Sequence, residues 1–244
     1  MNLILVEPSE LDADGCVTLR DARGAHALGV LKVTLDQPIR VGIVDGALGT
    51  GLVTALLADG VRLRCAFDTV PPRPPVDLLL ALPRPKVLRR LWAQLAALGV
   101  GRVILTNAER VERNYFDTHL LDPTGYRPLL LEGLQQARDS RLPDVSVHRQ
   151  FRVLVEDDLD GLTGTATRLV ADPAATLPIR HAIHSRPSGV NRALLAVGPE
   201  GGWNAFELDL LRSHGFSGVG MGARILRSDT ACIALLALVH EALR

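Results

Sequence analysis

The chain has 244 residues, enough for one large hydrophobic core or two modest ones, and its 27 basic and 27 acidic residues give a formal net charge of zero. A neutral chain is not built to coat nucleic acid indiscriminately, and the longest apolar run, Ala231–Val239, is too short to cross a bilayer. Every basic residue except Lys32 and Lys86 is arginine; its planar fork suits phosphate and carboxylate, although a genomic bias would leave the same mark.

Short apolar stretches broken by Gly and Asp fill the first 68 residues: VTLR (17–20), HALGVLKV (26–33), RVGIVDG (40–46), GLVTALL (51–57) and VRLRCAF (61–67). This spacing predicts a small β-rich domain, a partly closed barrel. No basic leader precedes Glu7, so a signal peptide is not expected. Cys16, Cys65 and Cys232 are widely spaced without a CxxC pair, and are expected to be reduced, structural thiols of a cytoplasmic protein. TVPPRPPVD (69–77) then places four prolines in nine residues, a stiff linker.

Beyond the linker the rhythm changes. VDLLLAL (76–82) reads as a buried strand, and PKVLRRLWAQLAALG (85–99) repeats apolar residues at helical spacing, with Trp92 on the apolar face and Gly99 as the stop. RVILT (102–106) is the next strand, which makes a βαβ unit and hence a parallel sheet. Further strands are predicted at 145–149, 167–171, 193–197 and 216–220. Over 84–113, seven basic residues stand against two acidic ones, which is either an RNA-facing surface or a solvated helix face. His181 and His184 have no Cys or acidic ligand pattern around them, so no metal site is expected.

The 198–202 loop, GPEGG, stands where a strand should end and a helix begin. Ligands of open α/β sheets bind beyond the carboxyl ends of the strands, and glycines there let a ligand approach the backbone. Asn204 and Glu207 have the spacing of a capping box, and Gly215 closes the helix they open. A tight turn feeding a well-capped helix explains the loop equally well. A second glycine loop, GVGMGARILRSDTA (218–231), brings Arg224, Arg227, Ser228, Asp229 and Thr230 to the same sheet edge. Neither loop is a dinucleotide fingerprint, and no phosphate-loop lysine pattern is present. The final helix, from Asp229 to Leu243, is apolar nearly all round through Val239, which suits burial on more than one side and a subunit partner.

VGPEGGW (197–203) followed by MGARILRSDTA (221–231) resembles the C-terminal signature of the RsmE family, SPOUT-class methyltransferases. The likeness extends to LALPRPKVLRRLWAQLAALGVGRVILTNAERV (80–111), to GLQQARDSRLPDV (133–145) and to DARGAHALGVLKV (21–33). It implies an α/β fold, a SPOUT-type parallel sheet with a C-terminal trefoil knot over 73–244, preceded by a small PUA-like β-barrel RNA-binding domain over 1–72. It further implies S-adenosyl-L-methionine as cofactor, N3 of a uridine in 16S ribosomal RNA of the small subunit as acceptor, a homodimer through the knot region, a cytoplasmic location, and no metal or membrane.

Residue by residue, the resemblance assigns cofactor binding to Val197, Gly198, Pro199, Glu200, Gly201, Gly202, Met221, Gly222, Ile225, Leu226, Thr230 and Ala231. Catalysis falls to Arg227, Glu200, Asp229 and Arg224, and RNA binding to His26, Lys32, Arg84, Lys86, Arg89, Arg90 and Arg110. Arg227 is expected to stabilise charge on uracil, and Glu200 or Asp229 to take the N3 proton. The family commonly has Pro where Ala223 stands, Thr-Glu where Ser228-Asp229 stands, and often Arg where Lys32 stands. The departures at Ala223 and Ser228-Asp229 leave one rival reading, a relative that binds RNA without catalysis. A second, a methyltransferase acting at another RNA position or atom, stays open because the motifs describe the donor pocket better than the acceptor pocket.

Overall fold

The computed structural model describes residues 3–222 and 224–244. They group into two units, residues up to Arg73 with Leu131–Leu142, and Pro74–Leu130 with Pro143–Arg244.

In the first unit, β1 (Ile4–Val6), β2 (Cys16–Leu19), β3 (Pro38–Ile43), β4 (Leu48–Leu57) and β5 (Gly60–Thr69) form one sheet in the order β1-β3-β4-β5-β2. β1 runs parallel to β3, and the other pairs are antiparallel. Val6, Val17, Val41, Val53, Val61 and Leu63 form its core. HALGVLKV (26–33), one of the stretches that predict a β-rich domain, contains no strand: its first four residues end a helix, α1 (Ala22–Gly29). The Asp21 carboxylate accepts from the Arg23 N–H at 2.9 Å and so caps the first turn. Gly24 lets the helix lie against β2: a Cβ there would stand 2.3 Å from the Leu19 carbonyl oxygen. Part of GLQQARDSRLPDV completes this unit. The Asp45 N–H donates to the Ser140 carbonyl at 2.7 Å, and the Ser140 hydroxyl donates to the Gly46 carbonyl at 2.6 Å. Those bonds hold a turn in which Asp45 takes φ +55°.

The second unit is built on β6 (Val76–Ala81), β7 (Val100–Thr106), β8 (Asp144–His148), β9 (Thr167–Ala171), β10 (Ala193–Val197) and β11 (Ser217–Val219). All are parallel, in the order β11-β9-β10-β6-β7-β8. Every residue of β6 and β10 is buried, as expected for central strands of a covered parallel sheet. Helix α2 (Pro85–Ala97) buries Leu88, Leu91, Trp92 and Leu95, and Gly99 ends it with φ +76°. Trp92 stacks on Tyr126 of α3 (Pro123–Ala137), with ring centroids 5.2 Å apart. Two short helices, α4 (Phe151–Val153) and α5 (Leu159–Thr163), flank a wider turn of five residues, Leu154–Asp158. Helices α6 (Ile179–His184), α7 (Ala205–Ser213) and α8 (Ser228–Leu243) complete the unit.

At the start of β6, the Asp77 carboxylate is 1 % exposed, and Arg192 Nη2 donates to both its oxygens at 2.9 and 2.8 Å. A buried charge is tolerated only when so paired. Cys232 is buried in α8, which pushes its thiol up to about 12 and leaves it inert at neutral pH. No described helix is long and apolar enough to cross a membrane.

The strand order determines where a site can form. From β6 the chain proceeds to β7 and β8 on one side, while β10, β9 and β11 lie on the other. The order reverses between β6 and β10, and the crevice beyond their carboxyl ends is the preferred ligand position of such a sheet. The 198–202 loop follows β10 there, beside the segment that follows β6.

Candidate functional site

The glycine loop has its own local logic. The Gly202 N–H donates to the Pro199 carbonyl at 2.8 Å, a tight turn that Gly202 completes at φ +73°. The expected capping box is formed: the Glu207 N–H donates to Asn204 Oδ1 at 2.8 Å, and the Asn204 N–H to Glu207 Oε2 at 2.8 Å. Glu207 is 3 % exposed, and its other oxygen accepts the Glu109 N–H at 2.8 Å. The carboxylate therefore ties the start of α7 to the segment after β7. Trp203 packs on Phe151 with centroids 5.3 Å apart. Its ring also covers Gly198, where a Cβ would stand 3.1 Å from the indole.

Loop, tryptophan and the start of α8 enclose a cavity of about 420 Å³. Of the expected cofactor residues, Val197, Gly198, Pro199, Glu200, Gly201, Gly202, Ile225, Leu226 and Ala231 line it. Met221 and Gly222 do not; they face a neighbouring cavity of about 750 Å³ with Arg180 and Leu238. Thr230 is exposed and lines neither. The sequence reading missed one whole wall, Ala171-Asp172-Pro173 at the end of β9. Asp172 is held there by Arg212 Nη2 at 3.0 Å and by the Ala174 N–H at 2.9 Å. Its only signal in the sequence was its place at the end of an expected strand. Ala223 lies outside the described residues.

Of the four catalytic candidates, Glu200 lines this cavity, while Arg224, Arg227 and Asp229 do not. Asp229 sits in the first turn of α8, with Oδ2 accepting from Arg90 Nη2 at 2.9 Å and Oδ1 from the Thr230 N–H at 2.9 Å. Glu200 is held more loosely: Oε1 lies 3.4 Å from the Arg84 N–H nitrogen and 4.0 Å from Arg84 Nε. Arg84 is the N-cap of α2, so Glu200 also meets the positive end of that helix. Arg224 and Arg227 are exposed. Arg227 is the N-cap of α8, a place it fills with its backbone and without a side-chain capping bond.

Among the expected RNA contacts, Arg84, Lys86, Arg89 and Arg90 are exposed at the start of α2. His26 lies in α1, and Lys32 is exposed at φ +48° in the segment after it. Arg110 turns onto the glycine loop, where its Nη1 donates to the Gly201 carbonyl at 2.5 Å. Among the described residues, no group of His, Cys, Asp and Glu is placed to hold a metal ion.

The family model of an RNA methyltransferase domain matches residues 71–240. Ribosomal RNA small subunit methyltransferase E of Treponema pallidum is 31% identical over 246 residues, which takes in 98% of this chain and 90% of that protein. The protein of the same name from Mycobacterium bovis is 26% identical over 230 residues, or 92% of this chain and 86% of the relative. Among solved structures, ribosomal RNA small subunit methyltransferase E of Neisseria gonorrhoeae bound to S-adenosyl methionine superposes with a TM-score of 0.76. That match covers 99% of this chain and 97% of the other at 20% identity, a likeness of fold.

Proposed function

This chain belongs to the RsmE family of ribosomal RNA methyltransferases, and from that premise we propose that it methylates N3 of a uridine in 16S ribosomal RNA with S-adenosylmethionine as donor. One observation carries the reading: the 198–202 loop and Ile225, Leu226, Ser228 and Ala231 of the second signature segment line one cavity beyond the carboxyl ends of β9 and β10 in a parallel sheet. The cavity suits that donor. The 198–202 loop lines it with main chain that can meet the adenine and ribose, Trp203 and Leu226 give an apolar wall, and the Glu200 and Asp172 carboxylates stand close by for a cationic sulfonium. When bound, S-adenosylmethionine supplies an electrophilic methyl group.

The chain's own residues supply the rest. Uracil N3 must lose a proton, and charge builds on the flanking carbonyl oxygens as it does. Both oxygens of Asp229 already accept hydrogen bonds, whereas Glu200 is held only at 3.4 Å, so Glu200 is the better placed to accept the proton. Arg227 stabilises the carbonyl oxygen, and Arg224 grips the target nucleotide or a phosphate. Arg84, Lys86, Arg89 and Arg90 form the RNA-facing end of α2. Residues 1–72 act as the PUA-like RNA-binding domain, with His26 and Lys32 toward RNA; the mixed five-stranded sheet supports this. Residues 73–244 act as the SPOUT domain. Its trefoil knot is supported by β11 lying beyond β9 while β10 lies inside it. A cytoplasmic location follows from the ribosomal substrate.

The test is the modification map of 16S ribosomal RNA from a deletion strain. One uridine should lose one methyl group, and purified protein with labelled donor should restore it on isolated small subunits. An unchanged map, with no label transferred, would refute the assignment.

A homodimer through α8 belongs to the same reading. Leu235, Leu236 and Val239 are buried within their own chain, but Leu238 is 45% exposed on α8. Leu238→Glu is expected to give a folded monomer, because a charge cannot enter a dry two-fold contact without a large desolvation cost. Sedimentation of the wild type as a monomer at micromolar concentration would defeat this prediction.

A further inference from the structure

We infer that Arg110 is a positioning residue for the donor pocket, a role that rests on the reading of 198–202 as that pocket. Two features set Arg110 apart from the exposed arginines of α2. Its guanidinium donates to the Gly201 carbonyl, and its aliphatic stem lies flat on Gly201, since a Cβ there would stand 2.9 Å from Arg110 Cδ and 3.3 Å from Cβ. The neighbouring Glu109 N–H is meanwhile fixed to the buried Glu207 carboxylate, which also holds the Asn204 N–H. The segment after β7 is thus bonded to both ends of the turn, at Gly201 and at the start of α7. Buried Glu207 secures one end, and exposed Arg110 secures the other. Gly201, whose carbonyl Arg110 holds, lines the cavity while Arg110 does not, so the side chain determines how the main chain of that wall faces a ligand without touching the ligand itself. A side chain at 201 would have to displace the arginine stem, which occupies its place.

Three variants and two measurements test this. In Arg110→Ala, hydrogen exchange of the 198–204 amides in unliganded protein should quicken about tenfold, the scale of one lost charge-assisted hydrogen bond. The dissociation constant for S-adenosylmethionine should rise by a similar factor, about 1.4 kcal/mol. The melting temperature should stay near wild type, because the bond is exposed. Arg110→Lys should recover part of both, since its stem still covers Gly201. Gly201→Ala should loosen the loop by pushing the arginine aside, and should cost little more in the Arg110→Ala background, where most of the obstacle is gone. Unchanged loop exchange in Arg110→Ala, or additive costs in the double variant, overturns the inference. Loop exchange that quickens in a protein whose wild type binds no S-adenosylmethionine supports the loop-holding role, and it is the donor reading that then fails. Loss of RNA affinity alone, with loop and donor affinity intact, returns Arg110 to the RNA face.

Discussion

Replacing Arg227 with alanine is expected to lower the single-turnover methylation rate by roughly 10²–10³-fold, the scale of one lost oxyanion donor. The position makes this a clean experiment. Arg227 caps α8 with its carbonyl, which accepts the Ala231 N–H at 2.8 Å, and its side chain makes no capping bond. Truncation therefore leaves the helix start intact, and the melting temperature should move little. If the guanidinium interacts mainly with charge that develops on uracil, donor affinity should also hold, because the ground state does not use the group. Arg227→Lys should recover little, since a point charge does not reproduce a planar fork. An arginine that merely pins the loop gives the opposite order: weaker donor binding and lower stability, with the rate at saturating donor kept. A stable variant that methylates small ribosomal subunits at the wild-type rate would end the catalytic assignment.

The parts of this site that rest on short-range chemistry were legible in the sequence. The Asn204–Glu207 box depends on residues three apart, and the apolar spacing of α2 on one helical period, so both are present as expected. HALGVLKV misled because a short apolar run satisfies strand and helix alike. Its outcome was decided by the Asp21 cap and by close approach at Gly24, neither visible in the run itself. Contacts between distant segments were out of reach. Ala171–Pro173 is a wall of the cavity only because β9 lies next to β10, and pairing order is a property of the whole sheet. Arg110 read as one more member of a basic run, and nothing in its neighbours foretold a carbonyl partner at position 201. The apolar final helix likewise concealed which leucine faces inward: Leu236 is wholly buried in its own chain and Leu238 is not.

The same distinction between sequence pattern and spatial neighbour governs Gly220→Val, which is expected to raise the dissociation constant for S-adenosylmethionine by roughly 10²-fold or more, since misplacing a site by about 1 Å can cost that much. A Cβ at Gly220 would stand 2.2 Å from the Ala175 carbonyl oxygen and 3.5 Å from that of Asp172. These are backbone atoms, so no rotamer change relieves the overlap. The Gly220 N–H also donates to the Leu177 carbonyl at 3.2 Å, and the chains must separate to accommodate a side chain. Separation moves the 172–177 segment, which carries Asp172 and Pro173 in the cavity wall. The neighbouring glycines serve as controls because their surroundings differ. At Gly218 the nearest atom to a new Cβ is the Ala175 methyl at 3.6 Å, an ordinary contact, so Gly218→Ala should bind donor almost normally. Gly202 lines the cavity with open space but φ +73°, so Gly202→Ala should cost about 1–2 kcal/mol of backbone strain and bind donor more weakly than Gly218→Ala. Calorimetric titration of the three variants, with thermal melts alongside, reads the order directly. Donor affinity kept in Gly220→Val, or lost equally in all three, would mean that the 172–177 segment does not shape the donor site.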